Sequence, residues 1–325
     1  MLKYPKIFCF AGGCCLLLVG VPFFLLNTTP SAAETKLSIP AEYGQVVYQS
    51  NPGSPYQLFI IGMSHRDSLT RLNGRNTSRV QAEVYKVGDW LVRNQGLELL
   101  LPEGFFKDSP AKIGKKGPKF LPPDKTKCPE PLDIKVLEEQ LSNDKVFVNA
   151  EILLKEHHQL RIQQIEDKDL YQDVTKGILR LVGAGRNNEI CDYSLLKSEL
   201  DYLQERRTAA MLQRAPEVID RELREGYIKE KKAIFTIGMS HLCIIINYLN
   251  ANKIVVQPVP GSSISSIKND KYVADLNLSK ENFGVSVIIP RTLANDQKVL
   301  EMNKLDTALA QFKKQSLSPV PPPVQ

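Results

Sequence analysis

Apolar runs alternate with amphipathic stretches along most of this chain. A short apolar run between polar or turn residues is typical of a buried strand, and apolar residues at every third or fourth position are typical of a helix with one packed face. This criterion predicts strands at residues 56–61, 97–101, 161–165, 233–237, 253–259 and 285–289. It predicts helices at residues 77–95, 134–141, 150–158, 193–213, 242–249 and 293–314, with Pro216 placed to begin another.

The order of these elements indicates the fold class. Strands that alternate with helices favour a parallel or mixed sheet with helices on its faces. We therefore predict an α/β fold with a central, mostly parallel sheet, flanking helices and a helical insertion. No shift in composition divides residues 34–315, which we predict to form a single domain. Residues 316–325 contain four prolines and are predicted to be a disordered tail.

The first 33 residues have the pattern of a targeting segment. Lys3 and Lys6 precede an uncharged, mostly apolar run at residues 7–26, and the small triplet Ser-Ala-Ala follows at residues 31–33. This arrangement is typical of a cleaved signal peptide. The run is also nearly long enough to span a bilayer, so an uncleaved anchor is the alternative. Either case predicts an exported protein, periplasmic or secreted, that contacts a membrane only through this segment.

Composition limits the partners that this chain can have. With 42% hydrophobic and 24% charged residues, it has the make-up of an ordinary globular protein. The formal charge of +6 falls to +4 without residues 1–33, which hold two lysines and no Arg, Asp or Glu. Residues 107–127 carry seven lysines and two aspartates, which indicates a solvated basic loop or a rim that attracts an anionic substrate. Aromatic residues make up 7% and no nucleic-acid-binding motif occurs, so we predict no nucleic acid partner.

The cysteines beyond the targeting segment are Cys128, Cys191 and Cys243. An exported compartment permits a disulfide, and Cys128 with Cys191 is the predicted pair because both lie in polar, loop-like sequence. Cys243 lies in an apolar run and is predicted to be a buried thiol. No Cys-x-x-Cys occurs, which excludes a zinc ribbon.

The pentapeptide Ile-Gly-Met-Ser-His occurs twice, at residues 61–65 and 237–241, each time after an apolar run. Its glycines and histidines are Gly62, Gly238, His65 and His241. The glycines suit a sharp strand exit with positive φ, or a close approach of another group. Because ligands bind beyond the carboxyl ends of parallel strands, the histidines can face one crevice as metal ligands or general bases. The alternative is two exposed loop histidines.

Glu103 follows the second predicted strand, as each histidine follows its own. His65, Glu103 and His241 then match a divalent-metal site with open positions for water or substrate, with Mn, Co or Zn as candidate ions. The glutamate can instead act as a general base on water beside a histidine. Arg206 and Arg207 are adjacent in a predicted helix, and either one can stabilise developing negative charge. The ordinary alternative for this pair is a charged helix face.

Other chemical patterns are weaker. His157 and His158 end the predicted helix at residues 150–158 without a second ligand pair one turn away, so we predict a solvent-exposed helix end. No Gly-x-Ser-x-Gly occurs, which weighs against a serine hydrolase of the usual α/β type.

Taken in order, the motifs resemble those of the TraB/TIKI superfamily, which includes erythromycin esterase-like proteins. The similarity rests on two Gly-x-x-His motifs, at residues 62–65 and 238–241, on Glu103 in Leu-Leu-Leu-Pro-Glu-Gly, and on the arginine pair ahead of Met211. The triplet Ile-Glu-Asp at residues 165–167 is similar to the short acidic strand end of that family. The matching motifs fall within residues 56–258, which make up most of the chain beyond the targeting segment.

The resemblance implies an α/β fold with both histidines at one active-site mouth. It implies site roles for His65, Glu103 and His241, and it favours Arg207 over Arg206 as the assisting arginine because of the spacing to Met211. TIKI-like relatives are metal-dependent proteases of extracellular peptides, and the esterases of the group open a lactone with histidine and glutamate. The lysine-rich loop has no counterpart in the family, so a substrate is not carried over.

The residues and the resemblance together predict an exported, metal-dependent hydrolase, peptidase- or esterase-like, that acts on a peptide or on a small ester or lactone. The competing prediction is a non-catalytic member of the same family that binds or sequesters a peptide or another ligand.

Overall fold

Eight strands form two sheets in the computed structural model, which describes residues 36–64, 76–107, 132–142, 149–187 and 192–317. The strands are β1 (Gly44–Ser50), β2 (Gln57–Met63), β3 (Leu99–Pro102), β4 (Arg161–Ile162), β5 (Lys232–Gly238), β6 (Lys253–Val256), β7 (Tyr272–Asp275) and β8 (Gly284–Pro290). Six of them form one sheet in the order β1-β8-β2-β5-β3-β4. The neighbours from β8 to β4 are parallel, and β1 is antiparallel to β8. The prediction of a mostly parallel central sheet is therefore confirmed.

Helices connect these strands and pack against the sheet. They are α1 (Thr77–Gln95), α2 (Ile134–Leu141), α3 (Ala150–His158), α4 (Lys168–Asn187), α5 (Tyr193–Arg224), α6 (Met239–Ala251), α7 (Ser265–Asn269), α8 (Asn277–Lys280), α9 (Arg291–Ala294), α10 (Gln297–Met302) and α11 (Asp306–Leu317). The α/β class is confirmed. Helices α4 and α5 pack against each other and lie in the chain between β4 and β5.

The centre of the sheet is apolar on both faces. Every residue of β2 and β8 is buried, and so is all of β5 except Lys232 at its start. The sequence of a parallel strand that is covered on both faces is typically a continuous apolar run, without alternation of apolar and polar residues. These strands therefore form a rigid base for the residues that follow them at the carboxyl edge of the sheet.

The strand at residues 161–165 is shorter than predicted, since β4 ends at Ile162. The chain then turns away from the sheet because Arg214 of α5 binds the carbonyl oxygens that follow. Its Nη1 donates to the oxygens of Ile165, at 3.3 Å, and Glu166, at 2.6 Å. This turn directs the Glu166 side chain towards the helices.

The prediction that Pro216 begins a new helix is wrong. Pro216 lies inside α5, where its ring removes one backbone donor and would normally kink or break the helix. Buried residues on both sides of it hold the helix against the core, including Leu212 and Ile219. Tertiary packing therefore outweighs the local preference of proline.

The single helix predicted at residues 293–314 is three shorter helices, α9, α10 and α11. Asp296 begins α10 by accepting a hydrogen bond from the backbone N–H of Val299 at 3.2 Å. Lys304 separates α10 from α11 with a left-handed φ of 55°. The apolar spacing continues through both breaks, and for this reason the pattern alone did not predict them.

The prediction of a solvent-exposed end for α3 is also wrong. The side chain of His158 is 4% exposed, and its Nε2 lies 2.8 Å from Oδ1 of Asp89 on α1. His157 Nδ1 lies 2.8 Å from the hydroxyl of Tyr85, which is also on α1. Both histidines thus hold α3 against α1.

The described residues belong to one compact unit, Glu34–Gln325. Within the part of the chain that the structure describes, no helix has the length and apolarity needed to cross a membrane. The predicted targeting segment and residues 318–325 of the predicted tail lie outside the described residues. The tail was predicted to begin at residue 316, but residues 316 and 317 still belong to α11, so that boundary is wrong.

Candidate active site

The carboxyl ends of β2, β5 and β3 lie side by side, and two predicted site residues, Glu103 and His241, follow β3 and β5. In the sheet register, Met63 is opposite Gly238, and Pro102 is opposite Thr236. Glu103 comes directly after β3, and His241 lies in the first turn of α6, directly after β5. The parallel strands therefore place Glu103 and His241 at the same edge of the sheet.

The two identical pentapeptides have different local structures. Gly62 lies within β2 and faces Ile237, whereas Gly238 ends β5 and precedes α6 with a φ of −60°. The positive φ that we predicted at the strand exit is therefore wrong for Gly238. A Cβ atom on Gly62 would lie 2.5 Å from Cδ1 of Leu242, so this glycine allows α6 to pack closely on β2.

Glu103 lies at the centre of the site. Its Oε2 accepts a hydrogen bond from the backbone N–H of Gly238 at 2.6 Å. Its Oε1 lies 2.8 Å from Nη2 of Arg207 and 3.4 Å from Nε2 of His241. One carboxylate thus connects β3 with β5, with the long helix α5 and with α6.

Arg207 is buried between two carboxylates. Its Nε donates to Oε2 of Glu166 at 3.1 Å, and its Nη2 donates to Oε1 of Glu166, whose side chain is fully buried. Oε1 of Glu166 also accepts a hydrogen bond from the backbone N–H of Gly104 at 3.0 Å. Burial lowers the pKa of Arg207, but hydrogen bonds and charges from Glu166 and Glu103 outweigh burial and raise it overall. The guanidinium is therefore a fixed positive charge in this site.

Arg206 points elsewhere. Its guanidinium stacks on the ring of Tyr272 in β7, 3.8 Å from the ring centre. Of the two adjacent arginines, Arg207 is thus the one beside Glu103, and it is also the one that the resemblance favours.

The ring of His241 contacts polar groups through both nitrogens. Nε2 faces Glu103, and Nδ1 lies 2.6 Å from Oγ1 of Thr208. The same hydroxyl donates to the carbonyl oxygen of Gln204 at 2.8 Å. Thr208 is fully buried and the His241 side chain is 4% exposed, so the imidazole is held in one orientation.

Two aromatic rings lie beside the arginine. The guanidinium of Arg207 is 5.1 Å from the ring centre of Tyr171 on α4. Phe106, three residues after Glu103, meets Tyr171 edge to face at 5.0 Å. Tyr171 is partly exposed, so these rings form an apolar wall at the outer side of the cluster.

Several predicted site residues lie outside the described residues. These are His65, Cys128 and Cys191, together with residues 108–127 of the lysine-rich loop. The chain is described up to Ser64, whose carbonyl oxygen accepts a hydrogen bond from Gln81 at 2.7 Å. Cys243, predicted as a buried thiol, is half-buried and unbridged, and burial raises its pKa.

Two residues of the cluster were not among the predicted catalytic residues. Glu166 was named only through the resemblance of its acidic triplet, and nothing in the sequence pointed to Thr208. Thr208 follows Arg207 directly in α5, but a polar residue beside an arginine is too common in helices to indicate a site.

A separate cleft of about 610 Å³ lies at the opposite end of β2 and β5, near Trp90 and Tyr56. Two of its lysines have anionic partners: Lys231 pairs with Asp220, and Lys232 with Glu230. It contains none of the residues of the Glu103 cluster.

Glu103 and His241 fit as two ligands of a divalent metal. Two ligands of a tetrahedral ion with bonds of about 2.0–2.1 Å lie about 3.4 Å apart, which matches the separation of 3.4 Å between Nε2 and Oε1. A ligating histidine usually donates its other ring N–H, as Nδ1 can to Thr208. The charge of Arg207 on the same carboxylate opposes a cation. Among the described residues, no group of three or more His, Cys, Asp or Glu is arranged to hold an ion.

Comparisons with protein-family models, curated proteins and solved structures find no match for this chain. The resemblance to the TraB/TIKI superfamily therefore stays a prediction, and the function rests on the geometry of the cluster.

Proposed function

We propose that this protein is an exported, metal-dependent hydrolase that cleaves a peptide, or a small ester or lactone, at the cluster around Glu103. The observation that carries the proposal is the separation of 3.4 Å between Glu103 Oε1 and His241 Nε2 at the carboxyl edge of the sheet. Arg207 binds the same carboxylate oxygen. A positioned carboxylate, an imidazole and a fixed positive charge can supply the proton transfer and the charge stabilisation that hydrolysis of a carbonyl compound uses.

The cluster offers a role for each group. Glu103 and His241 would hold a divalent metal if one is bound, and Oε1 and Nε2 otherwise orient the attacking water. Such a metal would supply Lewis acidity and would lower the pKa of a bound water. Without it, Nε2 takes a proton from the water as its oxygen attacks the carbonyl carbon, and returns that proton to the leaving oxygen or nitrogen as the bond breaks.

Arg207 is suited to bind the oxygen that becomes negative during attack. The hydrogen bonds that it makes to Glu166 and Glu103 use Nε and Nη2. Nη1 is thus the nitrogen that can donate to a substrate oxygen. Because the two glutamates fix the guanidinium beforehand, little reorganisation is needed in the transition state.

The test measures hydrolysis of peptide, ester and lactone libraries together with bound metal. We expect His241→Ala and Glu103→Gln to lower activity by a factor of about 100 or more, and His241→Ala and His65→Ala to lower metal content. Arg207→Ala should lower kcat, whereas the matched Arg206→Ala variant should not, because Arg206 stacks on Tyr272 away from the cluster. Full activity and metal content in His241→Ala would contradict the proposal.

The second candidate function is a binding protein without catalysis. The ion pairs of Arg207 favour this candidate. Two carboxylates, Glu103 and Glu166, already bind its guanidinium, which leaves less of it for a transition state. In a non-catalytic protein, these ion pairs would only stabilise the packing of α5 against the ends of β3 and β4. A ligand that is bound tightly but never cleaved, with equal affinity for the wild type and Glu103→Gln, would support this candidate.

A further inference from the structure

We infer that Thr208 is a positioning residue that holds a proton on Nδ1 of His241 and so leaves Nε2 as the nitrogen that acts towards Glu103. The catalytic meaning of this inference rests on the proposed hydrolase function, but the proton assignment does not.

The hydroxyl of Thr208 has one proton and two possible acceptors. Oγ1 lies 2.8 Å from the carbonyl oxygen of Gln204 and 2.6 Å from Nδ1 of His241. A carbonyl oxygen can only accept, so the hydroxyl must donate its proton to Gln204. Oγ1 then accepts in the other contact, and the donor there is Nδ1–H.

The opposite assignment satisfies fewer groups. If the hydroxyl donated to Nδ1, two oxygens would face each other at 2.8 Å with no proton between them. The ring would then carry its proton on Nε2, 3.4 Å from Oε1 of Glu103, which is long for a hydrogen bond. Because Thr208 is buried, water can scarcely replace the hydrogen bond that the hydroxyl would then no longer donate to the carbonyl oxygen of Gln204.

The consequence concerns which nitrogen performs the chemistry. With the proton fixed on Nδ1, Nε2 of the neutral ring presents a lone pair towards Glu103, where it can bind a cation or take a proton from water. Thr208 therefore acts through His241 and does not itself contact a substrate.

The experiment is nitrogen-15 NMR of the two ring nitrogens of His241 in the labelled full-length protein. The chain has only four histidines, so the signal can be assigned with His241→Ala. We expect Nδ1 to be protonated in the wild type, and Thr208→Val to transfer that proton to Nε2 because Nδ1 loses its acceptor. Thr208→Ser retains the hydroxyl and should restore the wild-type spectrum.

Two controls separate this effect from a general disturbance. Thr175 in α4 makes the same bond one turn back, to the carbonyl oxygen of Tyr171 at 2.9 Å, so Thr175→Val should leave the His241 spectrum unchanged. The signals of His158, which is bound to Asp89, should stay constant in all variants and show that the fold is intact.

An unprotonated Nδ1 in the wild type, or an unchanged spectrum in Thr208→Val, would overturn the inference. If no substrate is ever cleaved, the proposed function fails, while the NMR result still decides the role of Thr208. If a substrate is found, Thr208→Val should lower kcat by a factor of about 10–100 with little change in KM.

Discussion

At the scale of single residues, the site is organised by charge. Arg207 and Glu166 are buried, and Glu103 is nearly so, with its side chain 11% exposed. An isolated charge in such surroundings is very unfavourable, and removing one partner of a buried pair leaves the other uncompensated. Each of the three therefore depends on the other two, and the orientation of Glu103 towards His241 depends on all of them.

The dependence predicts a large loss of stability for Glu166→Gln. The amide keeps the shape of the side chain but removes the charge, and its NH₂ group would face the donors of Arg207 and Gly104. We expect the free energy of unfolding in urea to fall by about 3 kcal/mol. Glu42→Gln is the matched control at an exposed position, with an expected change within about 0.5 kcal/mol. Equal stability of both variants would show that Arg207 does not need Glu166.

Individual site residues differ in how far the sequence predicts them. Glu103 and His241 were predicted because each follows an apolar run, which fixes its place at the end of a parallel strand. Thr208 could not be predicted, because its importance comes from the contact of α5 with α6, which no local pattern encodes. Glu166 was named only within the acidic triplet of the resemblance, and its contact with Arg207 depends on the turn that Arg214 binds.

At the scale of elements, α3 connects α1 with β5, one of the strands that carry the site. At its beginning, the N–H of Ala150 donates to Gln81, whose amide also binds Ser64, and Glu151 binds Thr236 of β5. At its end, both histidines contact α1. The nine residues of α3 were predicted with correct bounds. The contacts of its two histidines were not predicted, because their partners on α1 lie about 70 positions away in the chain.

The end of α3 gives a pH prediction. Burial, and then the charge of His158, lower the pKa of His157 below its ordinary value of 6.5. The unfolded chain therefore binds a proton below pH 6.5 that the folded chain resists, so stability falls as pH decreases from 6.5 to the lowered pKa. We expect the free energy of unfolding to decrease as pH falls below 6.5, and to decrease less in His157→Gln.

Asp89 does not disturb this measurement. Burial raises its pKa, but hydrogen bonds from His158 and Arg93 outweigh burial and lower it overall from 3.8. Its stabilising effect is therefore present above pH 3.8 and is lost only as pH falls through its lowered pKa. If the free energy of unfolding decreases equally in the wild type and in His157→Gln between pH 6.5 and pH 3.8, the role of His157 is contradicted.

The packing of α3 on α1 gives a second prediction for these elements. A Cβ atom on Gly88 of α1 would lie 2.5 Å from Cδ1 of Leu154 on α3. Alanine improves helix propensity by about 1 kcal/mol, but overpacking costs about 1–3 kcal/mol, so Gly88→Ala should destabilise the protein. Gly183 of α4 would have no atom within 4 Å of a new Cβ, so Gly183→Ala should stabilise it. Urea unfolding of both variants distinguishes packing from propensity, and two stabilised variants would contradict the close contact.

At the scale of the whole molecule, the chain places its two most similar strands together. β2 and β5 share a central position although 168 residues separate their ends, Met63 and Lys232, and this long-range pairing could not be predicted from local patterns. The sheet class was predictable because strands alternate with helices. β1 and β7 were not, since they lie at sheet edges and are only partly buried, which leaves no continuous apolar run.

The last prediction concerns the mature form of the protein. The apolar run at residues 7–26 and the small residues at 31–33 predict export and cleavage before Glu34, because signal peptidases require small residues one and three positions before the cut. N-terminal sequencing of the protein from fractionated cells should therefore begin at Glu34, outside the membrane fraction. Ala33→Glu should block cleavage, whereas Ala32→Glu, at the tolerant middle position, should not. An intact Met1 in the membrane fraction of the wild type would instead identify the segment as an anchor.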